Sequence, residues 1–172
     1  MDNSVEIKQL QSTSSVALQL DALLADAIDS GASLGFLSPA NLQEVAAYWQ
    51  SVEAEIQAGT RKLFIAHEQE QVVGCVQLSL STKANASHRG EVEKLMVNTR
   101  QRGKGLSKLL MARMERCAAD MGLSLLVLDT RVGDVASSLY SAIGYQQAGQ
   151  IPQFARSSNG QLDATAYFYK LL

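Results

Sequence analysis

The stretch Arg100-Gln-Arg-Gly103-Lys-Gly105 has the residue types and spacing to hold an anion. Two glycines let the backbone pass close to a ligand without Cβ obstruction. The apolar segment Leu95-Met-Val97 precedes the turn, and an amphipathic run from Leu106 follows it. A helix starting there aims its unsatisfied N–H groups and its positive dipole end at whatever the turn holds, and phosphate or pyrophosphate suits that geometry. The turn lacks the Gly-Lys-[Ser/Thr] spacing of nucleoside-triphosphate loops and the third glycine of the dinucleotide fingerprint.

Strands and helices must position that turn. Glu91–Val97 reads as the strand before it. The helix after it carries Leu106, Leu109, Leu110, Met114, Cys117, Ala118 and Met121 on one face and stops at Gly122. Leu123–Thr130 follows, and its apolar run Leu125–Leu128 reads as a fully buried parallel strand. Strand, helix and strand make a βαβ unit, expected to cross over right-handed. Upstream, Val5–Leu10 reads as a first strand. Val16, Leu20, Leu23, Leu24 and Ala27 recur at helical spacing up to Gly31. Ser38-Pro39 reads as an N-cap with proline at the first helical position, opening a helix with Leu42, Val45, Trp49, Val52 and Ile56 on its core face. Arg61–His67 and Val72–Leu80, joined by a polar turn, read as an antiparallel hairpin. A short helix spans Val135–Ile143, a strand runs to about Gly149, residues 152–161 form a loop, and Ala164–Lys170 is the last strand.

At 172 residues, 47% hydrophobic and 19% charged, the chain fits one well-filled domain over residues 1–172. A net charge of −2 argues against a non-specific nucleic-acid binder. No apolar run is long enough to span a bilayer, and Met1-Asp-Asn-Ser does not begin a signal pattern, so no membrane partner and a cytoplasmic location are expected. Cys75 and Cys117 read as buried thiols in a reducing compartment. With two histidines and no ligand-spaced cluster, no metal is expected.

Arg-x-x-Gly-x-Gly after a strand resembles the acetyl-CoA pyrophosphate loop of the GNAT superfamily of N-acetyltransferases. A second stretch, Ala136-Ser-Ser-Leu-Tyr140-Ser-Ala-Ile-Gly144-Tyr145, is similar to that family's Ala-x-x-[Leu/Phe]-Tyr-x-x-x-Gly-[Phe/Tyr] segment. The resemblance implies an α/β (α+β) fold: a mixed, twisted sheet of about six or seven strands, helices on both faces and a central, splayed parallel pair. It implies acetyl-CoA as cosubstrate. Its pyrophosphate would lie on Arg102, Gly103, Lys104, Gly105, Leu106 and Ser107, and its pantetheine arm along Leu95, Met96 and Val97. Tyr140 matches the position of the general acid. The base must take a proton from an amine, and a carboxylate serves, directly or through water. Glu91 and Glu93 alternate onto one face of their strand, and Asp129 ends the next strand at the carboxyl edge where α/β sheets bind ligands. Carboxylates sharing a cleft raise one another's pKa.

The resemblance extends to the tabtoxin-resistance acetyltransferases, through Gly31-Ala-Ser-Leu-Gly-Phe36, Val76-Gln-Leu-Ser-Leu80, Glu91–Val97, Leu128-Asp-Thr130 and Ala164–Lys170 in the same order. Those enzymes acetylate the amine of tabtoxinine-β-lactam, an amino-acid-like toxin. Their proposed catalytic carboxylates fall on Glu91 and Asp129 here, ranking both above Glu93. Glu93 and the Ile143-Gly144 pair depart from that group, and an extra carboxylate favours a more cationic substrate. Residues 31–37 read either as a packed connector or as a pocket wall, in which case Phe36, with Glu93, would contact the substrate. The implied function is acetyl transfer to the amine of a small amino-acid-like molecule, by direct attack in a ternary complex, in a monomer or homodimer and without nucleic acid. Alternatives are an acetyltransferase for protein N-termini or lysines, and a non-catalytic acyl-CoA-binding regulatory domain.

Overall fold

In the strand Arg61–Glu68 (β2) the side chains of Leu63 and Ile65 point to one side and those of Phe64 and Ala66 to the other, and all four are buried. Alternation with both faces apolar requires cover on both sides of the sheet. The computed structural model, which describes residues 4–172, shows that cover. In chain order the elements are β1 (Glu6–Leu10), α1 (Ala17–Asp29), α2 (Leu42–Gln57), β2, β3 (Gln71–Leu80), β4 (Arg89–Val97), α3 (Leu106–Asp120), β5 (Leu125–Arg131), α4 (Val135–Ala142), β6 (Gln146–Arg156) and β7 (Leu162–Leu171). The seven strands form one sheet, ordered β1-β2-β3-β4-β5-β7-β6, with β4 and β5 its parallel pair. The mixed sheet with helices on both faces is as expected. Met1, Asp2 and Asn3, on which the leader reading partly rests, lie outside the described residues; no helix among those described is long and apolar enough to cross a membrane.

Two apolar cores sandwich the sheet. Leu110, Met111 and Met114 of α3 pack with Phe64, Leu78, Leu126 and Phe168. On the opposite face, Leu20, Leu24, Val45 and Trp49 of α1 and α2 pack with Leu63, Ile65, Cys75 and Met96. Each fully buried Leu or Met contributes about 2 kcal/mol of transfer free energy. Trp49 is core, as its spacing predicts, and its indole N–H donates to Leu20 O at 3.1 Å. Cys75 is fully buried, whereas Cys117 is half-buried, contrary to expectation. Gln9 Oε1 lies 3.8 Å from its Sγ near the sheet edge, where cover thins.

Local chemistry moves several boundaries. α2 begins at Leu42, not Pro39, because Asn41 is the better cap: its Oδ1 accepts from Gln43 N at 2.9 Å and Glu44 N at 3.2 Å. Ser38 is engaged elsewhere, its hydroxyl donating to Asp29 Oδ1 at 3.0 Å. β6 runs on to Arg156 and takes up the first half of the expected loop. Pro152 is tolerated because β6 is an edge strand and its register slips between Ile151 and Ala155. β5 is not a fully buried parallel strand. It pairs with β4 over Leu125–Val127 only, and its Leu126 and Leu128 are buried while Leu125 and Val127 are half-exposed.

The short β4–β5 pairing has an identifiable cause. Gln77 faces Glu93 and Cys75 faces Met96, so β4 carries one more residue than β3 between those pairs. The excess falls at Lys94, whose φ is +52°, and such a bulge bends its strand and increases its twist. Beyond Glu91, β4 therefore leaves β5.

Packing beside the bulge is tight at Gly74, where an added Cβ would lie 2.9 Å from Met96 O and 3.2 Å from Leu110 Cδ1. Gly74→Ala is expected to cost about 2 kcal/mol of unfolding free energy in a denaturant titration. Gly149→Ala, with nothing within 4 Å of its Cβ, should stay within about 0.5 kcal/mol of the parent. Equal effects would contradict this packing.

Candidate active site

The glycine turn is built by its own polar groups. Asn98 Oδ1 accepts from Arg100 N at 3.0 Å, and Gln101 N donates to Asn98 O at 2.8 Å. Gly103 and Gly105 have φ of +80° and +77° with open space where a Cβ would stand. Left-handed backbone is thus what demands glycine there, and the open side is available to a ligand. The turn delivers the chain to α3, whose first amides have no preceding turn to bond. A groove of about 580 Å³ opens over them. Leu95, Met96, Val97, Arg102, Gly103, Gly105, Leu106 and Ser107, all expected at a cofactor, line it. Lys104 does not, and its ammonium turns back to Gln101 Oε1.

A second cavity of about 360 Å³ brings Glu91, Glu93, Asp129 and Tyr140 together. Leu95, Ala32, Arg131, Asp134 and Ala136 line both spaces, so the two meet where β4 and β5 part. Tyr140 is 6% exposed, with its ring against Tyr145 and Phe168. Its hydroxyl has no hydrogen-bond partner among the described residues. Burial, with the Asp129 charge adding to it, pushes its pKa up to about 12. Such a phenol keeps its proton at neutral pH and can donate it to a basic atom placed in the cavity.

The carboxylates are not equivalent. Glu91 has its pKa raised, first by desolvation and then by the Glu93 and Asp129 charges, with Arg61 and Arg89 opposing. Asp129 Oδ2 accepts from Thr165 Oγ1 at 2.8 Å, which fixes that carboxylate against β7. Glu93 is paired with Arg61 Nη1 at 2.9 Å. Arg61 also holds Glu55 at 2.6 Å and Gln77 Oε1 at 2.7 Å. Burial works against that guanidinium's charge, but the Glu93 and Glu55 carboxylates raise its pKa nonetheless. Glu93 is therefore engaged by a cation, and Glu91, which has no ion pair among the described residues, is the freer proton acceptor.

Residues 32–35 line the carboxylate cavity, so the loop after α1 is a pocket wall. Phe36 is not part of that wall. It borders a neighbouring groove of about 260 Å³ and packs edge-on to Tyr48 at 5.6 Å. Arg131 was not singled out from the sequence, yet it ties the rim together, donating to Asp134 Oδ1 at 3.0 Å, Ser157 Oγ at 3.1 Å and Gly31 O at 2.9 Å. Thr165 and Lys94 were missed as well. Their roles depend on register and on the bulge, which leave no local sequence signal.

The chain also matches known proteins. Residues 23–145 match the sequence profile described as the acetyltransferase (GNAT) family. N-acetyltransferase 8B of Rattus norvegicus is 34% identical over 90 residues, which are 51% of this chain and 40% of that protein. L-methionine sulfoximine/L-methionine sulfone acetyltransferase of Pseudomonas aeruginosa is 40% identical over 80 residues, 45% of this chain and 46% of that protein. The chain thus spans less than half the length of these curated relatives. Among solved structures, the ribosomal-protein-alanine N-acetyltransferase of Brucella melitensis superposes with a TM-score of 0.82 at 21% identity, covering 97% of this chain and 99% of that one. YncA of Salmonella typhimurium, solved with its cofactor acetyl-CoA, gives 0.79 at 16% identity, covering 97% and 94%. At these identities the likeness is one of fold.

The raised pKa of Glu91 has a consequence for stability. Its ionised form is disfavoured in the folded protein relative to the unfolded chain, so the penalty is full above the folded pKa and vanishes below the ordinary carboxylate value. Glu91→Gln is expected to raise the melting temperature at about pH 8 and to leave it unchanged at about pH 4. A lower melting temperature at the higher pH would contradict the assigned electrostatics.

Proposed function

The chain belongs to the acetyltransferase (GNAT) family, and from that premise we propose that it is an acetyl-CoA-dependent N-acetyltransferase whose acceptor is the amine of a small, amino-acid-like molecule. The observation that carries this reading is the junction of the groove over the glycine turn and the start of α3 with a carboxylate cavity at the β4–β5 splay. The whole chain, residues 1–172, serves in this reading as one acetyltransferase domain. The turn 102–107 and the start of α3 take the pyrophosphate of acetyl-CoA, and the freed edge of β4 at Leu95–Val97 hydrogen-bonds the pantetheine arm. The thioester then lies at the junction, between Tyr140 and the carboxylates.

Two proton movements accompany the transfer. Glu91 takes the proton that the acceptor nitrogen must shed as its lone pair forms the new C–N bond. Tyr140 gives its phenolic proton to the sulfur as the C–S bond breaks. Asp129, fixed by Thr165, attracts and orients the incoming ammonium, which loses one proton to solvent before the neutral amine attacks. Placing both reactants in one cleft makes the attack effectively unimolecular and supplies much of the rate. Transfer is direct, since Cys75 is fully buried with its thiol pushed up to about 12 by burial, and Cys117 lines neither space.

The volume of about 360 Å³ favours a small acceptor over a polypeptide. The resemblance to tabtoxin-resistance enzymes and the relative named for methionine sulfoximine support amino-acid analogues, including toxins of the tabtoxinine-β-lactam type. Thiol release from acetyl-CoA, measured against amino acids, such analogues, polyamines and an N-terminal peptide, tests the reading. One small amino-acid-like acceptor should dominate, with intersecting double-reciprocal lines. Tyr140→Phe and Glu91→Gln should each lower kcat by about a hundredfold with little change in the KM for acetyl-CoA. Acetyl-CoA binding without turnover on any amine would contradict the reading, and parallel lines would contradict direct transfer.

A further inference from the structure

Among the described residues Arg131 and Lys94 line the carboxylate cavity and Arg61 stands beside it, and both arginines are saturated by protein partners. Arg61 is bound by Glu55, Glu93 and Gln77, and Arg131 by Asp134, Ser157 and the Gly31 carbonyl. Lys94 is different. It lines the cavity, yet its ammonium makes no ion pair and no hydrogen bond among the described residues. Among the described residues its direct contact is with the face of Tyr48, 5.4 Å from the ring centroid, and cation–π contact steadies a cation without neutralising it. Tyr48 is itself held by its hydroxyl, which donates to Gln77 Oε1 at 3.1 Å, and by Phe36 against its ring. Desolvation lowers the pKa of Lys94, and the Glu93 and Asp129 charges work against that shift. The backbone presenting it is strained, a non-glycine residue at φ +52° in the middle of a strand. Strain of this kind persists where the surroundings enforce it and clusters at functional sites.

A partly desolvated ammonium that feels the Glu93 and Asp129 charges but contacts no anion directly keeps its donors free, and the cavity has room for an anionic group beside it. Among the carboxylates that line the cavity, Glu93 and Asp134 are paired with arginines whereas Glu91 and Asp129 make no ion pair among the described residues, so with Lys94 the lining is bipolar and complements a zwitterion. Resting on the acetyltransferase reading above, we propose that Lys94 is the specificity-determining residue that pairs with the carboxylate of an amino-acid acceptor, while Glu91 and Asp129 receive its amine. The extra residue in β4 then has two uses: it opens the groove for the cosubstrate and presents the cation that recognises the acceptor.

The test uses the full chain and two matched probes, L-methionine sulfone and its primary amide, which keeps the amine but lacks the carboxylate charge. Acetylation rates, and separately binding of each probe by calorimetry with coenzyme A present, are measured for the wild type, Lys94→Met and Lys94→Arg. The wild type should favour the acid by at least about tenfold in both kcat/KM and affinity. Lys94→Met should bring that preference to about one, and Lys94→Arg should keep most of it, because the charge remains. Retained coenzyme A binding verifies that the variants are folded. An acid preference that survives Lys94→Met, or a wild type indifferent to the carboxylate, would overturn the assignment while leaving acetyl transfer standing. Lys94-dependent binding of the acid without acetylation would uphold the assignment and remove the enzymatic reading. Failure of the wild type to bind either probe would overturn the assignment for this acceptor class.

Discussion

One extra residue in β4, opposite β3, is the constraint on which the site depends. A regular β4 would continue its ladder with β5 past Glu91 and close the space between them. The bulge at Lys94 ends that pairing after Glu91 and Val127, so the next stretch of β4 has β3 on one side and an open edge on the other. It also resets the alternation of side chains. Val92, Leu95 and Val97 pack on the α3 face, while Met96 joins the core under α1 and α2. A single backbone irregularity thus separates the strands, frees polar backbone and keeps both cores filled. The tight approach of Gly74 to the Met96 carbonyl shows how closely the neighbouring strand fits the bend.

Around the splay, environment rather than residue type decides what each acidic group can do. Glu91 and Glu93 share a strand face, yet Arg61 takes up the second and leaves the first to feel its neighbours. A largely buried guanidinium with two carboxylates gains Coulomb energy against a desolvation cost of several kcal/mol, so its net contribution to stability is small. Its consequence for the site is electrostatic, since it sets a fixed positive charge against the carboxylates of a crowded cleft. The same network leaves Gln77 Nε2 buried without a partner among the described residues, a local cost of holding Tyr48 and Arg61 in place through the amide oxygen.

What could be read from the sequence was whatever depends on near neighbours. Helical spacing from Leu106 to Met121, the two glycines of the turn and the Tyr140 segment each carry a local signal, and the elements stand where those signals put them. The edges fell to competition between neighbours, as where Asn41 displaced Ser38 as the cap of α2. The course of β6 past Pro152 could not be read locally, because proline is tolerated there only by virtue of an edge position. The bulge is the deepest omission: Lys94 is neither glycine nor asparagine, and nothing around it announces a left-handed backbone. Thr165 and Arg131 were invisible for a related reason, since one meets Asp129 across a strand register and the other spans Gly31, Asp134 and Ser157. Phe36 was read as a substrate contact, but it instead packs against Tyr48, which lies beneath Lys94.

The central claim is that acetyl-CoA occupies the gap left by the bulge, and amide hydrogen exchange with and without acetyl-CoA tests it most directly. The account predicts slowed exchange in two segments, the open edge of β4 at Leu95–Val97 and the turn and helix start at residues 102–107, with β1 and the outer strand β6 unchanged. Protection confined to other parts of the chain, or none at saturating acetyl-CoA, would contradict it.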